Sequence, residues 1–211
     1  MKIAVVDYGM GNLRSVSKAI EHVAPQAQVL VTSDVGAIAG ADRVVVPGQG
    51  AMPDCMRELD ARGLRDPVLQ AARDRPFLGI CIGLQMLFES SEEGAVQGLG
   101  VLQGAVRRFP DGLAERASGA RLKVPHMGWN EVHQTRTHPL WRKIPDHGRF
   151  YFVHSYYADE RDPALRSATA DYGLAFTCAI ARDNIFAVQF HPEKSQSAGL
   201  QLLLNFVHWR P

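Results

Sequence analysis

A cysteine flanked by glycines, Cys81 between Gly79 and Gly83, is the feature of the sequence with the clearest chemical potential. It lies between an apolar run at 77–80, typical of a strand, and a helical pattern predicted to extend from 82 to about 90. Glycines at these two offsets allow a tight strand-to-helix turn that exposes the thiol, as in a nucleophile elbow. A helix N-terminus favours the thiolate, which is the nucleophilic form. The motif alone is equally typical of a buried cysteine beside packing glycines, so both interpretations stay open.

A histidine and a glutamate two residues apart, His191 and Glu193, follow a second apolar run at 185–190. Pro192 between them favours an extended backbone at the histidine. Side chains two apart on an extended chain point to the same side, so the carboxylate can orient the imidazole, as in a catalytic triad. The reactive ends of strands in α/β sheets share one edge. We therefore predict a triad of the Cys-His-Glu type that includes Cys81.

Backbone and amide groups near this cysteine are candidates for binding a substrate. The turn after the third predicted strand carries Gly48 and Gly50, whose backbone could approach a reacting carbonyl closely and donate N–H groups to an oxyanion. The N–H of Ile82, directly after the nucleophile, is a natural second donor. Gln85 lies four residues after Cys81 on the same helix face, where it could bind a polar substrate. A plain turn and a surface glutamine are the alternatives from spacing alone.

Other segments are more ambiguous. Gly9 and Gly11 resemble the start of a dinucleotide fingerprint, but Arg14 occupies the position where close helix–strand packing needs a small residue. Asn12 is better explained as a cap of the first helix or as a group at the end of the sheet.

The segment that holds Met127 and Trp129 is predicted to be a short exposed connection. Its Met and Trp side chains suit an interface anchor, with local core packing as the alternative. His154 is a rival catalytic base that lacks a carboxylate two residues away.

Composition excludes several broad classes of function. The 211 residues carry a net charge of +1, which offers no basic footprint for nucleic acid. The most apolar window, at 77–88, is too short to span a bilayer, and the N-terminus reads directly as a strand, so we expect neither a membrane segment nor a signal peptide. The 3 cysteines are at unrelated spacings, which favours a reducing cytoplasm over a disulfide framework. No histidine shows metal-ligand spacing, so no metal is expected.

The first half of the chain alternates apolar strands with helical patterns. Strands are predicted at 2–7, 28–32 and 43–46, with helices at 13–23 and 64–73. Continuous apolar runs of this kind suit parallel strands buried on both faces. We therefore predict an α/β fold with a doubly wound, mostly parallel central sheet. The second half is strand-rich and is predicted to add an antiparallel region, within a single domain that covers 1–211.

Three of these motifs together resemble the class I (triad-type) glutamine amidotransferases: Gly79 to Gln85, Pro47 to Gly50, and His191 to Glu193. Three further segments look like those of the glutaminase subunit of imidazole glycerol phosphate synthase: Asp7 to Leu13, Pro125 to Asn130, and Tyr151 to Tyr156. The resemblance covers the chain from Lys2 to the final helix. It implies a flavodoxin-like sheet. Leu84 stands where many relatives with other acceptors carry histidine, which favours this branch.

The resemblance implies a mechanism that agrees with the chemistry of the residues. Cys81 would attack the carboxamide of glutamine, His191 would carry the proton and Glu193 would orient His191. Gly50 and Ile82 would serve the oxyanion. The glutamine would be held by residues of the same rim: Gly48, Gln85, His154, Ser155 and Tyr156.

The resemblance also implies a partner, a (β/α)8-barrel synthase subunit that receives ammonia for histidine biosynthesis, with no cofactor. The residues implied at that interface are Asn12, Met127, Trp129 and Lys194. Three alternatives stay open: another class I glutaminase subunit of the pyridoxal phosphate synthase or anthranilate type, a stand-alone cysteine hydrolase, and a non-catalytic binding subunit.

Overall fold

The computed structural model describes residues 1–115 and 118–211. Its helices are α1 (Leu13–Val23), α2 (Val35–Ala39), α3 (Met52–Ala61), α4 (Arg65–Asp74), α5 (Ile82–Gln85) and α6 (Gln196–His208). Its strands are β1 (Lys2–Val6), β2 (Gln28–Thr32), β3 (Arg43–Gly48), β4 (Phe77–Cys81), β5 (Phe88–Ser91), β6 (Val96–Gln97), β7 (Leu102–Arg108), β8 (His126–Gln134), β9 (Gly148–His154), β10 (Tyr156–Glu160), β11 (Arg166–Asp171), β12 (Ala175–Arg182) and β13 (Ile185–Val188).

A parallel core of five strands, in the order β2-β1-β3-β4-β13, forms the centre of the sheet. β12 then pairs antiparallel with β13 and leads into β10, β7, β5 and β6. β8 and β9 form an antiparallel pair that joins through β11. The predicted α/β fold, with a mostly parallel centre and an antiparallel second half, is confirmed.

Hydrophobic burial explains why the central strands take these positions. Every residue of β3, β4 and β13 is buried, as expected for parallel strands covered on both faces. β3 and β4 are in register so that Gly48 lies opposite Cys81, and β13 runs parallel to β4 on its other side. The sheet therefore brings the glycine turn, the cysteine and the segment after β13 to one edge.

Two local predictions are wrong. The helix expected from 82 to about 90 ends at Gln85, because the chain then enters β5, where Phe88 pairs with Leu102 of β7. The expected exposed connection around Met127 and Trp129 is instead β8, a strand of 9 residues paired along β9. In both places sheet pairing with distant segments overrides the local pattern. No helix within 1–115 and 118–211 combines the length and the apolar character required to cross a membrane.

Candidate active site

The Cys81 backbone has the conformation of a strained elbow. It is the last residue of β4 and directly precedes α5, with φ 55° and ψ −109°, a region that non-glycine residues rarely adopt. A Cβ at Gly83 would lie 1.8 Å from the carbonyl oxygen of Val46, and one at Gly79 would lie 2.6 Å from the carbonyl oxygen of Gly83. Both glycines are therefore sterically required. Because α5 has only 4 residues, its dipole is weaker than the predicted longer helix would supply.

The His191–Glu193 pair is formed by a turn. His191 precedes the 3₁₀ helix Pro192–Lys194, and its Nδ1 lies 2.9 Å from Glu193 Oε1. The two side chains are only 3% and 1% exposed. Ser195 Oγ donates to the His191 carbonyl at 2.6 Å and accepts from the Tyr151 backbone N–H at 3.0 Å, which fixes the turn. The predicted contact is present. His191 has the extended backbone that was expected, and the residues that follow it form a 3₁₀ turn that brings the Glu193 carboxylate to its ring.

Electrostatics favours a protonated His191 beside the sulfur. Burial opposes the imidazolium and lowers its pKa, but the nearby Cys81 sulfur and the Glu193 carboxylate outweigh burial and raise the pKa of His191 to about 10. With Nδ1 bound to Glu193, Nε2 is left without a hydrogen-bond partner among the described residues. An imidazolium beside a sulfur is the state in which a cysteine acts as a nucleophile.

A cavity of about 270 Å³ lies between these groups. This volume has room for several water molecules of ~30 Å³ each, and therefore for a small ligand. The residues that line it are Gln49, Gly50, Cys81, Ile82, Gln85, Glu93, Pro125, Val153, His154, Ser155, Tyr156 and His191. The structure thus brings the predicted nucleophile, its histidine, both oxyanion candidates and four of the predicted substrate residues around one space.

The glycine turn at 48–50 follows β3 and lies next to Cys81. A Cβ at Gly48 would lie 2.6 Å from Ile82 Cβ and 2.7 Å from the Tyr8 hydroxyl, so only glycine fits there. Gly48 lies opposite Cys81 in the sheet and is not among the described residues that line the cavity. Gly50 lines the cavity with φ +100°, and both Gly50 and Gln49 are exposed. The turn can therefore present its backbone to a ligand in the cavity.

His154 has no ring nitrogen available for a proton from the thiol. Its Nδ1 lies 2.7 Å from the Tyr156 carbonyl, and its Nε2 lies 2.9 Å from His126 Nδ1. Burial, with a smaller contribution from His126, lowers the pKa of His154 to about 3. The geometry therefore favours His191 over His154 as the base.

The family model for glutamine amidotransferase class I matches residues 4–209, which is nearly the whole chain. This chain belongs to the class I glutamine amidotransferases. It is 66% identical over 209 residues to imidazole glycerol phosphate synthase subunit HisH of Aromatoleum aromaticum, and the match covers 99% of both chains. The same subunit of Dechloromonas aromatica is 66% identical, with 99% of this chain and 97% of the relative covered. The predicted membership among these glutaminase subunits is confirmed.

Solved structures agree on the fold. PurLQS from Thermotoga maritima matches with a TM-score of 0.73 at 16% identity, and the match covers 98% of this chain and 97% of that chain. At this identity the likeness concerns the fold alone. It places the doubly wound sheet of this class I glutamine amidotransferase among known amidotransferase architectures.

Two residues of the amidotransferase site escaped the sequence analysis. Gln189 is fully buried, its Nε2 lies 3.6 Å from Cys81 Sγ, and its Oε1 accepts from Gln85 Nε2 at 3.0 Å. An amide in the otherwise apolar run before His191 was the available signal. Glu93 lines the cavity, accepts from the Met52 backbone N–H at 2.7 Å, and has its pKa raised by burial. No sequence pattern marked Glu93.

Three of the predicted interface residues lie on one face of the β8–β9 pair. Met127 and Trp129 are 62% and 40% exposed, and they lie opposite Val153 and Tyr151 on β9. Lys194 Nζ lies 5.8 Å from the centre of the Tyr151 ring. We call these five residues the β8–β9 face. Such a grouping of exposed apolar side chains is unusual for a free surface and typical of an interface.

Asn12 lies close to the glycine turn. It occupies the position before α1, and its side chain makes no capping hydrogen bond within the described chain. Its neighbour Gly11 packs on the backbone of β3, where a Cβ would lie 3.5 Å from the carbonyl carbon of Pro47. The predicted cap is therefore not formed, which leaves the alternative that Asn12 is a group at the end of the sheet.

One exposed group of possible metal ligands occurs among the described residues, away from the cavity. His133, Asp146 and His147 bring ligand atoms within 4.8 Å of one another. Asp146 already accepts from the backbone N–H groups of Gln134 and His147 and lies 3.0 Å from His133 Nδ1. These bonds explain the group as a turn structure of the β8–β9 connection.

The free energy of unfolding is expected to fall on acidification. Burial lowers the pKa of His126 to about 4, and it is the largest cause that lowers the pKa of His154 to about 3. In the unfolded chain both titrate near ~6.5, so between those pH values the unfolded state binds more protons and stability drops as pH falls. For His126 alone the loss is on the order of 3 kcal/mol. His191 has the opposite sign, because its raised pKa stabilises the fold at low pH and this contribution is lost as pH rises through about 10.

Urea unfolding at several pH values between 4 and 8 tests this expectation. His126→Asn removes one titrating ring while it keeps a hydrogen-bond donor near the Nδ1 position. On acidification its free energy of unfolding should therefore fall less than that of the wild type. His138, whose pKa is also lowered to about 4, titrates in both proteins and cancels from the difference. Equal pH dependence of the two proteins would contradict a neutral buried His126.

Proposed function

We propose that Cys81 is the nucleophile with which this glutaminase subunit hydrolyses glutamine. The main support for this proposal is that the Cys81 elbow and the His191–Glu193 pair meet at one small cavity. Cys81 Sγ attacks the amide carbon, and His191 gives a proton to the leaving nitrogen as the C–N bond breaks, which releases ammonia and leaves a thioester. His191 then accepts a proton from water as it attacks the thioester, and glutamate leaves with the sulfur restored.

The lining of the cavity supports glutamine as the ligand. Gln85 Oε1 is buried without a hydrogen-bond partner among the described residues, so an acceptor is available for a substrate N–H. The Glu93 carboxylate supplies a negative charge for the α-ammonium group. We propose that the N–H groups of Gly50 and Ile82 bind the oxyanion, and that Gly48 leaves the space for this approach. Ser155, Tyr156 and His154 complete the lining of the cavity.

We propose that ammonia passes directly to a partner subunit with a (β/α)8 barrel. Direct transfer is favoured because ammonia is the nucleophile, whereas the ammonium formed in bulk water has no lone pair with which to attack. The relatives named HisH are subunits of imidazole glycerol phosphate synthase, and that name implies a second subunit. The product of the complex would be imidazole glycerol phosphate, with an aminoimidazole carboxamide ribotide as the second product.

We further propose that the partner docks on the β8–β9 face, together with Asn12. Trp129 lies at the centre of the exposed apolar group, edge-on to Tyr151 with ring centres 6.2 Å apart. Lys194 adds a positive charge at the rim of the same surface. An aromatic anchor with a charged rim is the usual composition of an energetically important contact.

Replacing Trp129 by alanine should weaken binding of the barrel subunit by about 30-fold, or ~2 kcal/mol, because an aromatic anchor is lost. Calorimetric titration of the two subunits measures the affinity. Val31→Ala is the matched control, since Val31 is 43% exposed on β2 at the opposite edge of the sheet. The control should bind as the wild type does, and an equal loss in both variants would remove Trp129 as a specific anchor.

The activity itself is tested by glutamate release from glutamine in the reconstituted complex, with the phosphorylated acceptor substrate bound to the barrel subunit. We expect turnover that exceeds the rate of the isolated chain, because a liganded partner shifts the site towards its active arrangement. No glutamate release from the complete complex would overturn the proposed function. We place the reaction in the cytoplasm, since the three cysteines of the chain are free and a reactive thiol needs a reducing compartment.

A further inference from the structure

A continuous series of hydrogen bonds begins on β8 and leads inward through buried side chains. Asn130 Nδ2 donates to the Asp171 carbonyl at 2.7 Å and lies 3.3 Å from His126 Nε2. His126 Nδ1 lies 2.9 Å from His154 Nε2. His154 Nδ1 lies 2.7 Å from the Tyr156 carbonyl, which borders the cavity. The two histidines therefore bridge the strand and the wall of the site.

The series continues from the cavity wall to the sulfur. The Tyr156 carbonyl also accepts from Gln85 Nε2 at 3.2 Å. The same amide donates to Gln189 Oε1 at 3.0 Å, and Gln189 Nε2 lies 3.6 Å from Cys81 Sγ. The series therefore runs from β8 to the Cys81 sulfur through four side chains, with the Tyr156 backbone carbonyl as the link between His154 and Gln85.

One assignment of protons satisfies every bond of the series. A carbonyl only accepts, so His154 Nδ1 donates to Tyr156, and the Nε2 of a neutral ring must then accept from His126 Nδ1. His126 Nε2 in turn accepts from Asn130 Nδ2. The orientation of that amide is set because its Oδ1 accepts from the Glu131 backbone N–H at 2.8 Å. All donors point in one direction through the two rings.

Aromatic packing holds the two rings in place and keeps them neutral. His126 lies between Phe152 and Tyr172, with ring centres 4.8 and 4.0 Å away and planes within 28° of parallel. His154 packs against Phe176 at 5.2 Å. Both histidines are less than a tenth exposed, and burial disfavours their charged forms. A charged His126 would break the series, because its Nε2 could no longer accept.

The strand that carries the outer end of the series also carries the β8–β9 face. Along β8 the side chains alternate, so His126 is buried and Asn130 lies half-buried, while Met127 and Trp129 between them are exposed. Because these side chains alternate along one strand, a partner that shifts the backbone of β8 moves the outer and the inner side chains together. Contact on this face can therefore change the bonds of His126 and His154.

We propose that His126 and His154 are positioning residues of the glutaminase, forming a neutral relay that sets the Tyr156 carbonyl and, through Gln85 and Gln189, the Cys81 sulfur. Through this relay, binding of a partner at the β8–β9 face changes the position of the Cys81 sulfur. The inference rests on the proposed roles of Cys81 and of that face. It assigns the two rings a function that differs from proton transfer or direct contact with glutamine.

Two substitutions at one position test the relay in the complex with the barrel subunit. His126→Phe keeps an aromatic ring in the packed space but removes the donor to His154, whereas His126→Asn restores an N–H near the Nδ1 position. We expect His126→Phe to lower kcat for the glutamine-dependent reaction about tenfold, with a smaller change in KM, as the loss of one buried hydrogen bond implies. His126→Asn should stay within about threefold of the wild type. The reaction supplied with ammonium salt should be unchanged in both variants.

Several results would overturn the relay. Unchanged kcat in His126→Phe would show that the series does not reach the sulfur, and equal loss in both variants would indicate packing alone. If either variant fails to fold, nitrogen chemical shifts of the wild-type histidines decide, since the relay requires the Nδ1–H tautomer in both rings. A proton on His154 Nε2 would refute it. Glutamate release that persists after loss of the Cys81 thiol would instead refute the proposed function and leave the tautomer result standing.

Discussion

Replacing Cys81 by alanine should abolish glutamate release from glutamine, with a fall of at least about 10⁴-fold, because loss of a covalent nucleophile leaves only binding and oxyanion contacts. The sulfur lies at a strained turn, and its neighbours hold the histidine in the protonated form. Alanine fits the same turn, since it adds no atoms to it. The fold, the affinity for the barrel subunit and the reaction supplied with ammonium salt should therefore be retained.

Cys178→Ala is the matched control for this experiment. Cys178 is also a buried free thiol, but it lies within β12 and burial raises its pKa far above the usual range. Cys178 is not among the described residues that line the cavity. The control should retain glutaminase activity within about threefold, since a buried thiol removed from the core costs mainly packing. Comparable rates for Cys81→Ala and the wild type would exclude Cys81 as the nucleophile.

The fold was predictable because its central strands are continuous apolar runs. β2 begins and ends at the predicted residues, and β1 and α4 differ from prediction by one residue at one or both ends. β1 is buried at every residue but its first, as expected for a parallel strand covered on both faces, whereas β2 is a half-exposed edge strand that its apolar residues alone were enough to predict. α5 and β8 were mispredicted because their conformation depends on pairing with β7 and β9, partners that local periodicity does not reveal.

The site was predictable where the chemistry needs several unusual residues close together in sequence. The glycines around Cys81 are recognisable because any larger residue would clash with the backbone there. The two-residue spacing of His191 and Glu193 is recognisable because a short turn brings their side chains into contact. Gln189 and His126 were not assigned roles, because their contacts with Cys81 and His154 join residues far apart in the sequence. A single amide or imidazole carries no spacing signal, so the hydrogen-bond series could be found only from the structure.

The glycines differ in how severely an added Cβ would clash with the surrounding backbone. A Cβ at Gly83 would lie 1.8 Å from the Val46 carbonyl oxygen and 2.9 Å from its carbonyl carbon. Val46 belongs to β3 at the centre of the sheet, where every residue is buried and the backbone cannot move aside. Relief would require α5 to move outward, which would carry the Ile82 N–H and the Cys81 sulfur with it.

Gly83→Ala is therefore expected to lower the free energy of unfolding by on the order of 3–5 kcal/mol, the range of severe overpacking and backbone conflict. Glutaminase activity per folded molecule should also fall, by at least about 100-fold, because a displacement of about 1 Å is enough to misplace reacting groups. Urea unfolding gives the stability, and activity at low temperature, corrected for the folded fraction, gives the second effect.

Two other glycines provide a graded comparison. A Cβ at Gly79 would lie 2.6 Å from the Gly83 carbonyl oxygen, whereas one at Gly36 in α2 would meet only the Asp34 side chain at 3.2 Å. We expect the losses to follow this order, with Gly36→Ala close to neutral because helix propensity offsets a small side-chain adjustment. A Gly83→Ala protein that is destabilised but fully active once folded would show that the spacing between α5 and β3 does not control the nucleophile.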